Sequence, residues 1–338
     1  MVTRRLPGPA LDRLTDAGHT IDLWPDPLPP PAPVLREAVA GADGLLCLLT
    51  DRVDADLLAA APRLRAIANY AVGVDNVDLA AAAARGIPVG NTPDVLTDAT
   101  ADLTFALLLA AARHLVPAAG AVRDGQWRTW DPGGFLGADV HGATLGIVGW
   151  GRIGRAVARR ASGFDMTVLH TRETPLPDLL AASDFVSLHV PLTADTHHLI
   201  DARALRAMRP TAILVNTARG PVVEQAALLE AVAGGVIAGA AVDVTDPEPP
   251  DPGDPFLHAP NILVAPHIGS ATHAARERMA AMAVDNLLAG LAEPGGGEAP
   301  RFRCVAPAPE FEMARVAPEQ LITSVAGQDS LDLLCRER

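Results

Sequence analysis

The chain has 338 residues, enough for two ordinary domains, and its 49% hydrophobic content with a mean hydropathy of +0.21 suits buried cores. Its 27 basic residues are all arginine and stand against 40 acidic ones, for a net charge of −13. That balance argues against a nucleic-acid partner, and the lack of lysine excludes Schiff-base chemistry and a lysine-bearing phosphate loop.

The longest apolar run, Phe105 to Ala112, is too short to span a bilayer, and no N-terminal stretch has the form of a signal peptide. Cys47, Cys304 and Cys335 are too scattered for a disulfide framework or a zinc pair. The expectation is a cytoplasmic protein with no membrane contact and no metal.

In chain order, only Val2 and Thr3 precede Arg4 and Arg5, so a first strand is expected to be short or truncated. From Leu45 onward "GLLCLL", "LRAIANY" and "GIPVGN" alternate with Ala-rich helical stretches, and a long helix is expected from about Asp98 to His114. The turn-rich "WDPGGFLGADVHG" leads to "ATLGIVGWGRIGRAVARRASG", which reads as strand, glycine turn and helix. Further strands are expected at "MTVLH", "FVSLHV", "AILVNT", "AGAAVDV" and "NILVAP". Strands spaced by helices predict an α/β fold with a parallel sheet covered on both faces. Beyond Glu293 a Pro- and Gly-rich composition predicts a flexible tail over 293–338.

Gly149, Gly151 and Gly154 spell GxGxxG between a strand and a helix, the context in which the pattern binds a dinucleotide. The first glycine makes the tight turn, the second admits the pyrophosphate and the third lets helix and strand pack closely. About 20 residues on, where an acid would hold the ribose hydroxyls of NAD, stand His170, Thr171 and Arg172. Arginine and a hydroxyl suit the 2′-phosphate of NADP, so NADP(H) is expected over NAD(H). Only 13 residues run from Thr171 to Ser183, too few for a helix and a third strand. The second strand is therefore predicted at the sheet edge.

Arg219, Glu248 and His267 each follow a strand-like run, at the carboxyl edge where such sheets bind ligands. Reduction of a 2-oxo acid needs a cation for the carboxylate, a proton donor for the carbonyl oxygen and a carboxylate that favours the protonated donor. Those three residues supply all of them. His189 also ends a strand and competes as the acid. His197 and His198, as neighbours, make a poor metal pair. Trp127 and Trp130 read most simply as packing residues.

The segments "GWGRIG", "NTARGPVV", "VDVTDPEP" and "PHIGSAT" resemble, in order and spacing, the D-isomer-specific 2-hydroxyacid dehydrogenases, over about Leu6 to Leu291. Within them, "GIPVGNTPDVLTDATADL" and "GQWRTW" most resemble glyoxylate and hydroxypyruvate reductases, many of which prefer NADPH. The resemblance implies two Rossmann-like parallel-sheet domains with a cleft between them. These are a discontinuous, flavodoxin-like substrate domain of residues 1–93 plus 271–292 and a dinucleotide-binding domain of residues 94–270.

It gives Arg219, Glu248 and His267 the roles above, places the Val72 and Gly73 amides on the substrate carboxylate, and sets Asp243 near the nicotinamide. It extends the cofactor set to Gly149, Gly151, Arg152, Ile153, Gly154, Thr171, Arg172, Val190, Pro191, Thr196, Thr217, Ala218, Asp243, His267 and Gly269. It further implies a homodimer through the cofactor domain, with Trp130 reaching the partner's substrate pocket. The implied substrate is a small 2-oxo or 2-hydroxy acid. A phosphoglycerate-type dehydrogenase and a nicotinamide-binding corepressor-like regulator are the alternatives, while Glu248 in place of glutamine argues against formate chemistry.

Overall fold

The computed structural model describes residues 1–292, so the expectations for the 293–338 tail lie outside the described residues. Two parallel sheets organise the chain. The smaller contains β1 (Gly44–Cys47), β2 (Ala66–Asn69) and β3 (Val89–Gly90) in that spatial order. The expected first strand shrinks to Val2, which bridges both Leu23 and Leu46 before Pro7, Gly8 and Pro9 turn the chain away.

The larger sheet contains β4 (Thr144–Val148), β5 (Thr167–His170), β6 (Phe185–Leu188), β7 (Ile213–Asn216), β8 (Gly239–Val242) and β9 (Ile262–Val264). Its spatial order is β5-β4-β6-β7-β8-β9, all parallel. As the short Thr171 to Ser183 spacing requires, the helix Leu176–Ala182 leads straight into β6 and leaves β5 at the edge. The central strands β6, β7 and β8 are buried at every position, whereas β5 is partly exposed throughout. Sequence follows that burial: central strands of a helix-covered parallel sheet read as unbroken apolar runs, not as alternation.

One face of the large sheet is covered by the helix Thr97–Ala112, whose Ala101, Phe105 and Leu108 join Leu145, Ile147 and Val157 in one core. The opposite face buries Leu188, Leu214 and Val242 against Leu179, Leu205 and Leu228. The last described helix, His273–Leu291, returns to the small sheet, where Met279, Ala283 and Leu287 pack with Leu46, Ala66 and Ala68. The chain thus starts in the small sheet, builds the large one and comes back, so the carboxyl ends of both sheets meet at one cleft. No single described helix is long and apolar enough to cross a membrane.

Candidate active site

The cleft has a volume of about 800 Å³ and takes its walls from both sheets, including Val72, Gly73 and Asp75 on one side and Gly151, Arg219 and His267 on the other. Its dimensions suit a dinucleotide and a small acid together.

The glycine turn joins β4 to the helix Arg152–Ala161. Gly149 has φ +102°, and a Cβ there would stand 2.6 Å from the His189 backbone. A Cβ on Gly154 would lie 2.2 Å from the Gly149 carbonyl oxygen, so the third glycine closes helix onto strand. Gly151 meets nothing within 4 Å and lies open to the cleft, and no side chain caps the helix that follows. Uncapped amides at a ten-residue helix start favour a phosphate. Those features fit a dinucleotide, which Gly151, Arg152 and Ile153 would hold through their amides.

The end expected to take the adenosine is less complete. The Gly149 amide donates to Thr171 Oγ1 at 3.1 Å, so Thr171 braces the glycine turn. The His170 ring stacks on Trp150 with centroids 3.8 Å apart, and its Nε2 lies 3.5 Å from Glu173. Arg172 is exposed just past the β5 edge with no ion pair among the described residues.

At the other end the polar groups are already joined. His267 follows β9 with φ +53°, in the left-handed region that costs a non-glycine residue roughly 1–2 kcal/mol. Asp243, at the end of β8, sustains that turn. Its backbone oxygen accepts from the His267 amide at 2.8 Å, and its carboxylate accepts from Ile268 and Gly269, each at 2.7 Å. Burial pushes the Asp243 carboxyl above the usual range, and the two amides pull it back. The family resemblance sets Asp243 near the nicotinamide; it lines the cleft and also anchors the histidine turn.

The Glu248 carboxylate contacts His267 Nδ1 at 2.5 Å. That bond fixes the ring and leaves Nε2 as the nitrogen for the cleft. Glu248 reaches His267 because Gly220 lies against the Thr245 backbone, where a Cβ would come within 1.9 Å of the carbonyl oxygen. The β7 and β8 exits can therefore run side by side. Asn216 ties its own exit down, accepting from Ala218 N at 3.0 Å and donating to the Arg219 oxygen at 2.9 Å. Arg219 then reaches across the cleft, its Nε donating to Asp75 at 3.0 Å.

On the small-sheet side, Asn91 donates to the Val72 carbonyl at 2.7 Å and Asn69 to that of Gly73 at 2.9 Å. With the carbonyls turned to these amides, the Val72 and Gly73 N–H groups have no acceptor among the described residues. They stand at the wall of the cleft as donors for an anion.

The cleft also takes in Val190, Pro191, Thr217, Ala218 and Gly269, as the sequence reading expects. Four residues differ. Thr196 is 1% exposed and does not line the cleft; its hydroxyl spends itself on Pro191 O at 2.6 Å and the Thr193 amide at 2.8 Å, bracing the loop instead. Trp127 and Trp130 are 71% and 79% exposed, so they do not pack within the described chain; they lie in an irregular segment before a turn. His189 lines the cleft but is half-buried, its Nε2 on Ser187 Oγ at 2.8 Å, and desolvation of the ring pushes its pKa down to about 3. A neutral imidazole keeps one N–H that is far too weakly acidic to serve as a general acid, which favours His267 over this competitor. Asp75 and Arg276 line the cleft without having been singled out by motif. One of two acids in "GVDNVD" and a helical arginine carry no signal without the fold.

Residues 105–269 match the family described as D-isomer specific 2-hydroxyacid dehydrogenase, NAD binding domain. A glyoxylate reductase of Korarchaeum cryptofilum is 52% identical over 303 residues, covering 85% of this chain and 91% of the relative. The crystal structure of a protein from Thermus thermophilus superposes with a TM-score of 0.81 at 51% identity, over 86% of this chain and 96% of that one. That of an NADPH-dependent glyoxylate/hydroxypyruvate reductase from Sinorhizobium meliloti, in complex with citrate, gives 0.72 at 34% identity, over 85% and 92%. The chain belongs to the D-isomer-specific 2-hydroxyacid dehydrogenases, NAD(P)-dependent oxidoreductases acting on the CH–OH group of their donors.

Proposed function

We propose that this enzyme reduces glyoxylate, hydroxypyruvate or a similar small 2-oxo acid to the D-2-hydroxy acid, with NADPH preferred over NADH. The observation that carries the reading is the His267–Glu248 pair at 2.5 Å, with His267 and Arg219 lining the same cleft. Likeness to glyoxylate reductases supports the substrate class.

A nicotinamide cofactor, when bound in the cleft, would supply the hydride for the carbonyl carbon. Arg219 and the Val72 and Gly73 amides bind the carboxylate and so orient the carbonyl. His267 gives its Nε2 proton to the oxygen as charge develops there, and Glu248 stabilises the protonated ring through Nδ1. In the oxidative direction the same nitrogen takes the proton back. Closure of residues 1–93 plus 271–292 onto residues 94–270 excludes water from the step. Arg172 receives the 2′-phosphate, for which its lack of an ion pair among the described residues leaves it available.

The enzyme works as a homodimer through the cofactor domain. Leu115, Val122, Trp127, Trp130 and Leu136 are between 54% and 79% exposed along one segment of that domain, a patch that a second copy would cover, with Trp130 entering the partner's pocket.

Steady-state oxidation of NADPH and NADH against a panel of 2-oxo acids tests the reading. Turnover with glyoxylate or hydroxypyruvate and a lower KM for NADPH are expected. No oxidation with any 2-oxo acid would overturn it, and cofactor-dependent peptide binding without turnover would favour a regulator.

A further inference from the structure

Arg219 does not hang free in the cleft. Its Nε donates to Asp75 Oδ1 at 3.0 Å and its Nη1 to the Ala218 oxygen at 2.8 Å. A guanidinium has five N–H donors, and both hydrogens of Nη2 have no acceptor among the described residues. Nη2 also occupies the space in which a Gly73 Cβ would stand, at 1.8 Å from that point. The free donors of Arg219 are thereby set against the loop whose Val72 and Gly73 amides lack acceptors among the described residues.

Asp75 is a fixed post for this arrangement. Asn69 donates to the Gly73 oxygen and to Asn76 Oδ1, while Asn76 donates to the Leu48 and Asp51 oxygens, each at 2.9–3.0 Å. Asp75 lies between Gly73 and Asn76, on a loop pinned at both ends to the β1 and β2 exits. Both side chains of the pair are partly shielded, Arg219 at 21% exposure and Asp75 at 31%. An arginine mounted on the large sheet is thus steadied by an acid mounted on the small one.

We propose that Asp75 is a positioning residue, which holds Arg219 across the cleft so that its Nη2 edge and the Gly73 loop form one carboxylate-binding site. The proposal rests on the reductase reading above. Asp75 keeps Nε when substrate binds, and it does not act as a stand-in that the substrate displaces. The two alternatives move KM in opposite directions, since losing a positioning group weakens binding and losing a competitor strengthens it.

Steady-state kinetics of the full chain with glyoxylate and NADPH separate them. Asp75→Ala is expected to raise KM for glyoxylate about tenfold, the scale of one charge-assisted hydrogen bond, with kcat changed less than about threefold. Asp75→Asn keeps an oxygen within reach of Nε and is expected to restore much of that loss. The Kd for NADPH, read by nucleotide fluorescence, should stay within about twofold, which a general structural defect would not allow. If Asp75→Ala does not melt cooperatively, Asp75→Ser, too short to reach Nε, takes its place with the same expectation. An unchanged or lowered KM, or a fall in kcat alone, overturns the proposal. A wild-type enzyme inert toward every 2-oxo acid would instead sink the reductase reading itself.

Discussion

The two ends of the cleft are built differently. At the end that holds His267, Asp243, Glu248 and Asn216 satisfy one another's neighbours through bonds of 2.5–3.0 Å, and internal bonds of the chain fix His267. At the adenosine end, Thr171 braces the glycine turn, but Arg172 stands exposed beyond an edge strand with no ion pair among the described residues. The difference shows where preorganisation matters. Charge that develops in a transition state must meet donors already in place, because reorganising them would add to the barrier. A phosphate that arrives fully charged can complete its own site, and the loss of a third strand leaves room for it to do so.

If the catalytic end is prebuilt, breaking one internal bond there should cost turnover and not binding. Glu248→Ala is expected to lower kcat about a hundredfold while leaving the Kd for NADPH within about twofold. Comparable losses in both would mean that the pair serves the fold and not the proton transfer.

A smaller and opposite signature belongs to the adenosine end. Arg172→Ala should raise KM for NADPH about tenfold and leave KM for NADH unchanged, since only one cofactor carries the phosphate. Equal effects on both would place Arg172 outside the phosphate site.

A third signature is confined to acid, leaves activity near neutral pH untouched, and concerns His189. Its folded pKa, pushed down to about 3, lies below the ordinary value of 6.5, so the fold favours the neutral ring. The stabilisation this brings is fully present above pH 6.5 and is lost as pH falls toward 3, by about 1.4 kcal/mol per pH unit. Urea unfolding midpoints across that range should fall less steeply in His189→Gln than in the wild type, and parallel slopes would contradict the assignment.

How much of the molecule is legible in its sequence depends on how local each signal is. Buried parallel strands leave unbroken apolar runs, so "ILVN" and "GAAV" announce β7 and β8, and GxGxxG carries its own turn chemistry. The missing third strand follows from chain length alone. Contacts between distant segments are not visible: Asp75 meets Arg219 across 144 residues, and nothing in "GVDNVD" says which of its acids will pair. Thr196 escapes the sequence for a related reason, since a threonine after "HVPLT" serves the ligand or the loop according to where its hydroxyl points. The tryptophans do so because apolar composition predicts burial without saying whether a chain buries the residue against itself.

The central claim is that His267, held by Glu248, gives the proton as hydride is transferred. Single-turnover mixing of NADPH-loaded enzyme with glyoxylate tests it most directly, comparing the wild type with His267→Ala at matched NADPH occupancy. The expected result is a decay of nicotinamide absorbance about a thousandfold slower in the variant, with NADPH affinity retained. Equal decay rates in the two enzymes would contradict it.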